Sequence, residues 1–362
     1  MNFTLHLTAD CNLSCRYCYE THSKAHMDEA TAKKAVDLAF SHGHEKNGFS
    51  LFGGEPMLER KLIESIASYA VEKARQTGTA VKFKMTTNGT LLDEPFLEFA
   101  NAHGIEIALS HDGLLQDVQR VTRDGKPTRE KLEPIVDLLL RYQPGAVAMQ
   151  TVMPSTVGGM AESVEWLYAR GFSRVNTAID YRRDAGWDDG SMAVLKTQYE
   201  RIAALCETHF DEQRPLLYLN FLSKIAAYLN DRPCMECKLG IRQPSIAPDG
   251  SIYPCNQFLD EPAYCMGDVT HGIDRNRQRE IYLSSLDPEP DCEGCAIMDR
   301  CRHHCACLNY SLTGHMHTVA PVQCEHERIV IPIADALAER LYAQNSARFL
   351  RFYRTDSSDE PE

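Results

Sequence analysis

The sequence predicts an α/β protein in which a parallel sheet precedes a small cysteine-rich domain. Strand-like apolar runs alternate with amphipathic helical stretches from residue 1 to about 215. That order is typical of βα units that build a parallel sheet. Ten of the 14 cysteines lie between residues 234 and 324, which marks the second domain.

Six strands are expected in the first part of the chain, with helices between them. The strand-like runs are Thr4–Leu7, Gly48–Phe52, Val81–Thr86, Glu106–Leu109, Ala146–Val152 and Arg174–Ile179. Apolar residues at helical spacing predict the helices Glu29–Phe40, Lys61–Gln76, Pro95–Ala102, Arg129–Tyr142 and Ser163–Arg170. Residues 180–192 read as a polar loop, and further helices are expected at 194–209, 219–230 and Ile329–Tyr342. Because the carboxyl ends of parallel strands share one edge, functional residues should gather there.

Composition excludes several classes of function. The net charge of −13 argues against a nucleic-acid partner or an anionic membrane. No run of 18 or more apolar residues and no signal peptide are present. The expected location is therefore cytoplasmic, where thiols stay reduced, and the cysteines read as metal ligands rather than disulfides.

Three cysteines, Cys11, Cys15 and Cys18, follow the first strand. A [4Fe–4S] cluster usually takes four cysteines, so three would leave one iron open for a ligand that is not protein. A zinc site completed by His22 or His26 is the alternative.

This CxxxCxxC loop resembles that of the radical S-adenosylmethionine (AdoMet) superfamily. The resemblance implies a partial (β/α)6 TIM-like barrel, with Cys11, Cys15 and Cys18 as the catalytic cluster ligands. In that family AdoMet binds the open iron, and an electron from the cluster splits it. The resulting 5′-deoxyadenosyl radical takes a hydrogen from the substrate, and the cofactors carry this chemistry.

Further segments resemble the AdoMet-binding motifs of this family. Gly53-Gly54-Glu55 matches a GGE motif, Thr87-Asn88-Gly89 matches TNG, and Ser110 matches a contact to the ribose. The resemblance implies that Tyr17 contacts adenine. It also implies that Arg120 meets the AdoMet carboxylate, with Arg123 as the alternative because the spacing differs from the family pattern.

The cysteine-rich part resembles a SPASM domain, because seven cysteines and Gly250 occur in the matching order. The resemblance implies two auxiliary [4Fe–4S] clusters and thus three clusters in all. The first auxiliary cluster would take Cys234, Cys237, Cys255 and Cys305, and the second Cys292, Cys295, Cys301 and Cys324. Two structural zinc sites are the alternative. Cys206, Cys265 and Cys307 remain unassigned, and Cys307 is a candidate for substrate contact.

These resemblances divide the chain into segments. We expect a barrel domain at 1–215, a bridging helix at 216–230, a SPASM domain at 231–328, a C-terminal helix at 329–354 and a disordered tail at 355–362. Within the SPASM segment, Ser245–Cys255 predicts a β-hairpin whose Asp249-Gly250 turn brings Cys255 back toward Cys237.

SPASM-bearing radical enzymes mostly modify peptides, so the expected substrate is a ribosomally made precursor peptide. The block from Cys301 to Arg328 resembles maturases of Cys-rich precursors, which implies formation of a thioether between a cysteine sulfur and a carbon. Sulfatase maturases carry a proposed Asp base directly after the second SPASM cysteine, but Asn256 stands here. A C–C crosslink, decarboxylation, epimerisation or sulfatase-type oxidation stays an alternative, as does a small-molecule radical enzyme or a non-catalytic iron–sulfur scaffold.

Two kinds of protein partner are expected besides the peptide. A reductant such as flavodoxin or ferredoxin would supply the electron. The chain begins directly at the first strand, so a leader peptide would be recognised by another surface or by a separate protein.

The two classes of cysteine should separate in a cleavage assay. We expect Cys15→Ala to abolish AdoMet cleavage because it removes a ligand of the first cluster. Cys301→Ala should spare cleavage and block product formation. Chromatographic measurement of 5′-deoxyadenosine and of modified peptide checks both; equal AdoMet turnover in Cys15→Ala and wild type would contradict the first expectation.

Overall fold

The computed structural model describes residues 2–229, 237–259, 261–286, 292–302 and 305–353. Cys234 and the tail at 355–362 lie outside the described residues. No described helix is long and apolar enough to cross a membrane.

One sheet runs through both parts of the protein. The strands are β1 (Asn2–His6), β2 (Leu13–Cys15), β3 (Lys46–Phe52), β4 (Ala80–Thr87), β5 (Ile105–Ser110), β6 (Arg120–Thr122), β7 (Val147–Val152), β8 (Arg174–Ile179), β9 (Leu217–Tyr218), β10 (Ser245–Ile246), β11 (Ile252–Tyr253), β12 (Gly267–Asp268) and β13 (Gly272–Ile273). Nine of them form a sheet in the order β11-β10-β1-β3-β4-β5-β7-β8-β9. All neighbours in it are parallel except β10 and β11, which form the predicted hairpin.

The helices follow the strands in the expected alternation. They are α1 (Glu29–Ser41), α2 (Arg60–Thr77), α3 (Glu94–Ala102), α4 (Gln116–Gln119), α5 (Arg129–Tyr142), α6 (Met160–Ala169), α7 (Asp189–His209), α8 (Leu219–Leu229), α9 (Arg275–Ser284), α10 (Ala306–Thr313), α11 (Pro321–Ala343) and α12 (Ala347–Tyr353). Aspartate side chains cap the N-termini of α1, α3 and α7, where Asp28, Asp93 and Asp188 each accept a backbone N–H of the first turn. All six predicted strands and the five helices between them are present, so the predicted α/β class is confirmed.

The two faces of the parallel sheet differ in character. Phe49, Leu51, Phe83 and Met85 are buried on one face, while Ser50 lies on the opposite face because side chains alternate along a strand. On that second face Gln243 Nε2 donates to Thr4 Oγ1 at 2.9 Å and to Ser50 Oγ at 3.1 Å. A residue of the C-terminal part therefore lies against the polar face of the sheet.

Three sequence expectations need correction. The loop predicted at 180–192 ends earlier than expected, because Asp188 caps α7 and the helix begins at Asp189. That loop is also less solvated than expected, since Asp180 and Tyr181 are held by Arg182 and His326. The closing helix begins eight residues earlier than expected, at Pro321, where proline suits a helix N-terminus.

Helix α11 packs against α7 and α8 and joins the C-terminal part to the barrel. The ion pair between Lys224 and Glu327 lies in this contact, and both side chains are 4% exposed. Lys224 Nζ also donates to the Arg300 carbonyl at 3.1 Å. Tyr199 on α7 bonds to Nε2 of His326 on α11 at 2.7 Å.

We expect Lys224→Met to lower the free energy of unfolding by about 3–5 kcal/mol, because it leaves the Glu327 carboxylate buried without its cation. The double variant Lys224→Met/Glu327→Leu should recover most of the loss. Urea unfolding of the full chain measures both. Arg75→Ala, which breaks an exposed pair with Glu72, serves as the control and should change nothing measurable; equal midpoints for Lys224→Met and Arg75→Ala would refute the expectation.

Candidate active site

The carboxyl ends of four neighbouring strands bring the sequence motifs together. Cys11–Cys18 follow β1, Gly53–Glu55 follow β3, Asn88 follows β4 and Asp112 follows β5. Because β1, β3, β4 and β5 are adjacent and parallel, these segments meet at one edge of the sheet.

The cysteine loop is fixed by a short pair of strands. β2 pairs antiparallel with β6, and Cys15 lies opposite Arg120. Cys11 is buried, while Cys15 and Cys18 are half-buried. Burial, assisted by charges on Glu55, Cys15 and Cys18, raises the pKa of Cys11 to about 11, so the three thiols share one electrostatic environment.

The two histidines considered for a zinc tetrad occupy different surroundings. His22 Nε2 lies 3.4 Å from Cys18 Sγ, whereas the His26 ring bonds to the Lys24 carbonyl at 3.2 Å. Among the described residues, no group of three or more His, Cys, Asp or Glu side chains is placed to hold a single metal ion. His22 is thus the histidine that lies beside a thiol of this loop.

The Gly-Gly-Glu turn lies directly against the cysteine loop. Gly54 N–H donates to the Thr8 carbonyl and Glu55 N–H to the Asp10 carbonyl, both at 2.9 Å. A Cβ on Gly53 would lie 2.3 Å from the Thr8 carbonyl oxygen, and one on Gly54 would lie 2.3 Å from that of Asp10. Gly53 also has a φ of 138°. Only glycine permits this approach.

The Glu55 carboxylate is buried and fully engaged by protein groups. It accepts Met57 N–H at 3.0 Å, Thr87 Oγ1–H at 2.6 Å and Asn88 N–H at 2.7 Å. Burial raises the pKa of Glu55, and these hydrogen bonds partly offset the rise. The side chain thus locks the end of β4 to the glycine turn. Asn88 in turn donates to Asn12 in the cysteine loop at 2.8 Å.

Asp112 is the centre of a buried polar network. Its Oδ2 accepts Tyr17 O–H at 2.7 Å, Gln119 Nε2–H at 2.9 Å and Arg120 Nε–H at 3.1 Å. Its Oδ1 accepts Thr151 N–H at 2.8 Å. Burial lowers the pKa of Arg120, but Asp112, together with Tyr17 and Cys15, more than offsets this effect, so the net pKa is raised and the guanidinium stays charged.

The two candidate arginines contact different residues of the cysteine loop. The Arg120 guanidinium lies 5.1 Å from the centre of the Tyr17 ring. Burial raises the pKa of Cys15, and the Arg120 charge partly offsets that rise. The Arg123 side chain is 50% exposed and pairs with Asp10, the residue before Cys11. Ser110, the expected ribose contact, ends β5 and is partly exposed at the same edge.

A second group of thiols surrounds a cavity in the C-terminal part. Cys292, Cys295, Cys301 and Cys324 line it together with Ile297, Met298 and Val319. Arg328 donates to Cys324 Sγ at 3.4 Å and to Cys295 Sγ at 3.8 Å. Four thiols around an apolar cavity with a cation beside them suit an anionic cluster chemically.

A third group of thiols includes an unexpected member. Burial raises the pKa of Cys237 to about 12, and charges on Cys305 and Cys255 contribute to this rise. Cys307, which the sequence left unassigned, has its Sγ 3.7 Å from Cys305 Sγ. A hydrogen bond from Cys307 lowers the pKa of both Cys255 and Cys305. Cys237, Cys255, Cys305 and Cys307 are called the thiol quartet below.

The thiol quartet and the first cysteine loop are joined by one side chain. Asn256 Nδ2 donates to the Tyr19 hydroxyl at 3.1 Å, and its Oδ1 lies 3.1 Å from Cys255 Sγ. Tyr19 directly follows Cys18. Tyr19 and Asn256 therefore link the first cysteine loop to Cys255 of the thiol quartet.

Sequence reasoning did not foresee the contacts of three residues that organise this region. The resemblance placed Thr87 and Asp112 in segments near AdoMet and left Cys307 as a candidate for substrate contact, but it did not indicate which side chains they bond to. Asp112 and Thr87 could have been suspected, because each is a polar residue at the carboxyl end of a buried strand. No local signal marks Cys307, whose neighbours Cys255 and Cys305 come from distant parts of the chain.

Residues 5–167 match the radical SAM superfamily. An uncharacterized protein of Methanocaldococcus jannaschii is 33% identical over 126 residues, which are 34% of this chain and 43% of that protein. A cysteine-type anaerobic sulfatase-maturating enzyme of Clostridium novyi is 22% identical over 326 residues, 82% of this chain and 85% of that enzyme. A PqqA peptide cyclase of Gluconobacter oxydans is 26% identical over 338 residues, 89% of this chain and 90% of that cyclase.

The fold of this protein is similar to the folds of solved structures. Native anSMEcpe with bound AdoMet superposes with a TM-score of 0.78 at 16% identity and covers 98% of this chain and 100% of its own. The same enzyme with AdoMet and the Cp18Cys peptide gives a TM-score of 0.78 at 17% identity, covering 98% of this chain and 99% of its own.

Gly54→Ala tests the contact between the two loops. The added Cβ would collide with the Asp10 carbonyl, so we expect the cysteine loop to shift and AdoMet to lose its effect on the electron paramagnetic resonance (EPR) signal of reduced, reconstituted protein. Gly145→Ala is the matched control, because a Cβ there meets nothing within 4 Å. A wild-type response to AdoMet in Gly54→Ala would show that the close approach is dispensable.

Proposed function

From the premise that residues 5–167 form a radical SAM domain, we propose that this protein is a radical AdoMet enzyme that forms a thioether in a cysteine-rich precursor peptide. The observation that carries the proposal is the meeting of three thiols with the Gly-Gly-Glu turn at one edge of the sheet. That edge is where parallel α/β folds bind ligands.

Cys11, Cys15 and Cys18 are proposed to hold the [4Fe–4S] cluster, and the neighbouring turn to hold AdoMet. Such a cluster with AdoMet supplies one-electron cleavage and hence hydrogen abstraction from carbon. The missing Cβ atoms of Gly53 and Gly54 let this turn lie against the backbone of Thr8 and Asp10, which places it beside the cysteine loop. Glu55 positions this turn through Thr87 and Asn88.

Arg120 is proposed to bind the AdoMet carboxylate. Its guanidinium keeps its charge beside Asp112, and an arginine is well suited to a carboxylate partner. Tyr17 is fixed by the hydrogen bond to Asp112, so its ring can present one face to the adenine. Ser110 and Asn88 complete the proposed cofactor contacts.

The two cysteine groups of the C-terminal part are proposed to hold auxiliary [4Fe–4S] clusters. Cys292, Cys295, Cys301 and Cys324 already border one cavity. Cys237, Cys255 and Cys305 would hold the other, with Cys234 as the fourth ligand. We accordingly propose a barrel at 1–215, a bridging helix at 216–230, a SPASM domain at 231–328 and a C-terminal segment at 329–354. Helix α11, which begins at Pro321, crosses from the SPASM domain into that last segment.

A peptide substrate is supported by the relatives. The Gluconobacter oxydans protein is named a PqqA peptide cyclase, and anSMEcpe has been solved with a bound peptide. The thioether is supported by the resemblance of the block from Cys301 to Arg328 to maturases of Cys-rich precursors. Sulfatase-type oxidation is disfavoured because Asn256 stands where sulfatase maturases carry the proposed Asp base, and an amide cannot take a proton at neutral pH.

The reaction requires electrons from outside the chain. A flavodoxin or ferredoxin is the proposed donor. The precursor peptide is the proposed second partner.

Mass spectrometry of a short cysteine-rich peptide encoded beside this protein tests the function. After anaerobic incubation with AdoMet and reduced flavodoxin, we expect 5′-deoxyadenosine and a peptide lighter by two hydrogen atoms. One cysteine of that peptide should no longer react with iodoacetamide.

Cys15→Ala is the control for this experiment and should give neither product. Absence of 5′-deoxyadenosine with wild-type protein would overturn the radical mechanism. A mass change equal to loss of carbon dioxide, with all cysteines still reactive, would overturn thioether formation and leave the radical mechanism standing.

A further inference from the structure

Cys307 lies in the thiol quartet without a place in the proposed ligand sets. It is 8% exposed, and its Sγ lies 3.7 Å from Cys305 Sγ. It also hydrogen-bonds to Cys255. One buried thiol therefore contacts two of the three described cysteines that are proposed to hold the first auxiliary cluster.

Rigid elements keep Cys307 in this position. Cys305 is the N-terminal cap of α10, and Cys307 lies in its first turn. Asn309 N–H donates to the Cys305 carbonyl at 3.0 Å, and the helix ends at Gly314 in the left-handed conformation. Tyr310 on the same helix packs on Phe258, with ring centres 5.1 Å apart, which joins α10 to the segment that follows Cys255.

The spacing of the sulfur atoms argues against Cys307 as a ligand. Each iron of a cubane cluster carries its own cysteine ligand. The sulfur atoms of two such ligands are therefore held apart by the cluster and do not hydrogen-bond to one another. The sulfur atoms of Cys305 and Cys307 instead lie at hydrogen-bonding separation. Cys307 therefore fits beside the cluster ligands and not among them.

We propose that the Cys307 thiol donates its S–H hydrogen bond to the ligand sulfurs of Cys255 and Cys305 and thereby raises the reduction potential of the first auxiliary cluster. The proposal rests on the proposed function, because it assumes that Cys237, Cys255 and Cys305 hold a cluster. Hydrogen bonds to cluster sulfurs stabilise the reduced, more negative state and are one of the means by which proteins set such potentials.

A raised potential suits the electron balance of thioether formation. Hydrogen abstraction leaves a carbon radical on the peptide. When the cysteine sulfur bonds to that carbon, the S–H bond breaks, the proton leaves to solvent and one electron remains. The first auxiliary cluster would accept that electron, and the higher its potential, the more favourable the transfer. Cys307 would act as a positioning residue for this acceptor.

The experiment uses the full chain with Cys11, Cys15 and Cys18 replaced by Ala, so that only auxiliary clusters contribute to the signals. In this background we expect Cys307→Ala to lower the reduction potential of one auxiliary cluster at unchanged iron content. Cys307→Ser should restore part of the potential, because a hydroxyl also donates. Cys265→Ala is the matched control: Cys265 is half-buried and bonds to the Gly267 carbonyl, so the potential should not change.

A second readout detects the hydrogen bond itself. After exchange into D₂O, electron–nuclear double resonance of the reduced protein should show an exchangeable deuteron coupled to one cluster. That signal should vanish in Cys307→Ala and remain in Cys265→Ala.

Two results would overturn the inference while leaving the proposed function intact. An unchanged potential in Cys307→Ala would exclude the hydrogen bond, and loss of one cluster's iron would make Cys307 a ligand. If the parent with the three substitutions retained no iron, the auxiliary clusters themselves would be refuted, and this inference with them. The radical chemistry of the barrel would be judged separately, by AdoMet cleavage in the wild-type chain.

Discussion

The buried carboxylate of Asp112 is the interaction on which the site depends. It holds Tyr17 of the cysteine loop, Arg120 of β6 and the backbone of Thr151 on β7. Because Asp112 is fully buried, its charge is tolerable only with these donors and the Arg120 cation in place. One side chain thus couples the loop that carries the cysteines to β7.

A steric constraint complements this electrostatic one. The cysteine loop can be held only if the turn after β3 comes within backbone hydrogen-bonding distance, and the two glycines make that possible. Glu55 then fixes the turn to β4. Backbone contacts and one buried carboxylate therefore fix the position of the cysteine loop.

The C-terminal part is integrated with the barrel. Strand β10 extends the sheet beside β1, and Gln243 bonds to the polar face of β1 and β3. Helix α11 is anchored by the buried pair of Lys224 and Glu327. These contacts place the thiol quartet near the first cysteine loop, with Asn256 and Tyr19 between them.

The sequence by itself determined the alternation of strands and helices and the motifs at the strand ends. Hydrophobic periodicity and cysteine spacing are local properties, so the six strands, their helices and the hairpin at Asp249-Gly250 could be read directly. Only the tertiary structure decided that β6 clamps the cysteine loop, that Arg120 and not Arg123 lies beside Cys15, and that Cys307 joins Cys255 and Cys305. Three-residue strands carry too little periodicity to be recognised. Contacts between residues far apart in the chain depend on how the strands are ordered, which no local pattern records.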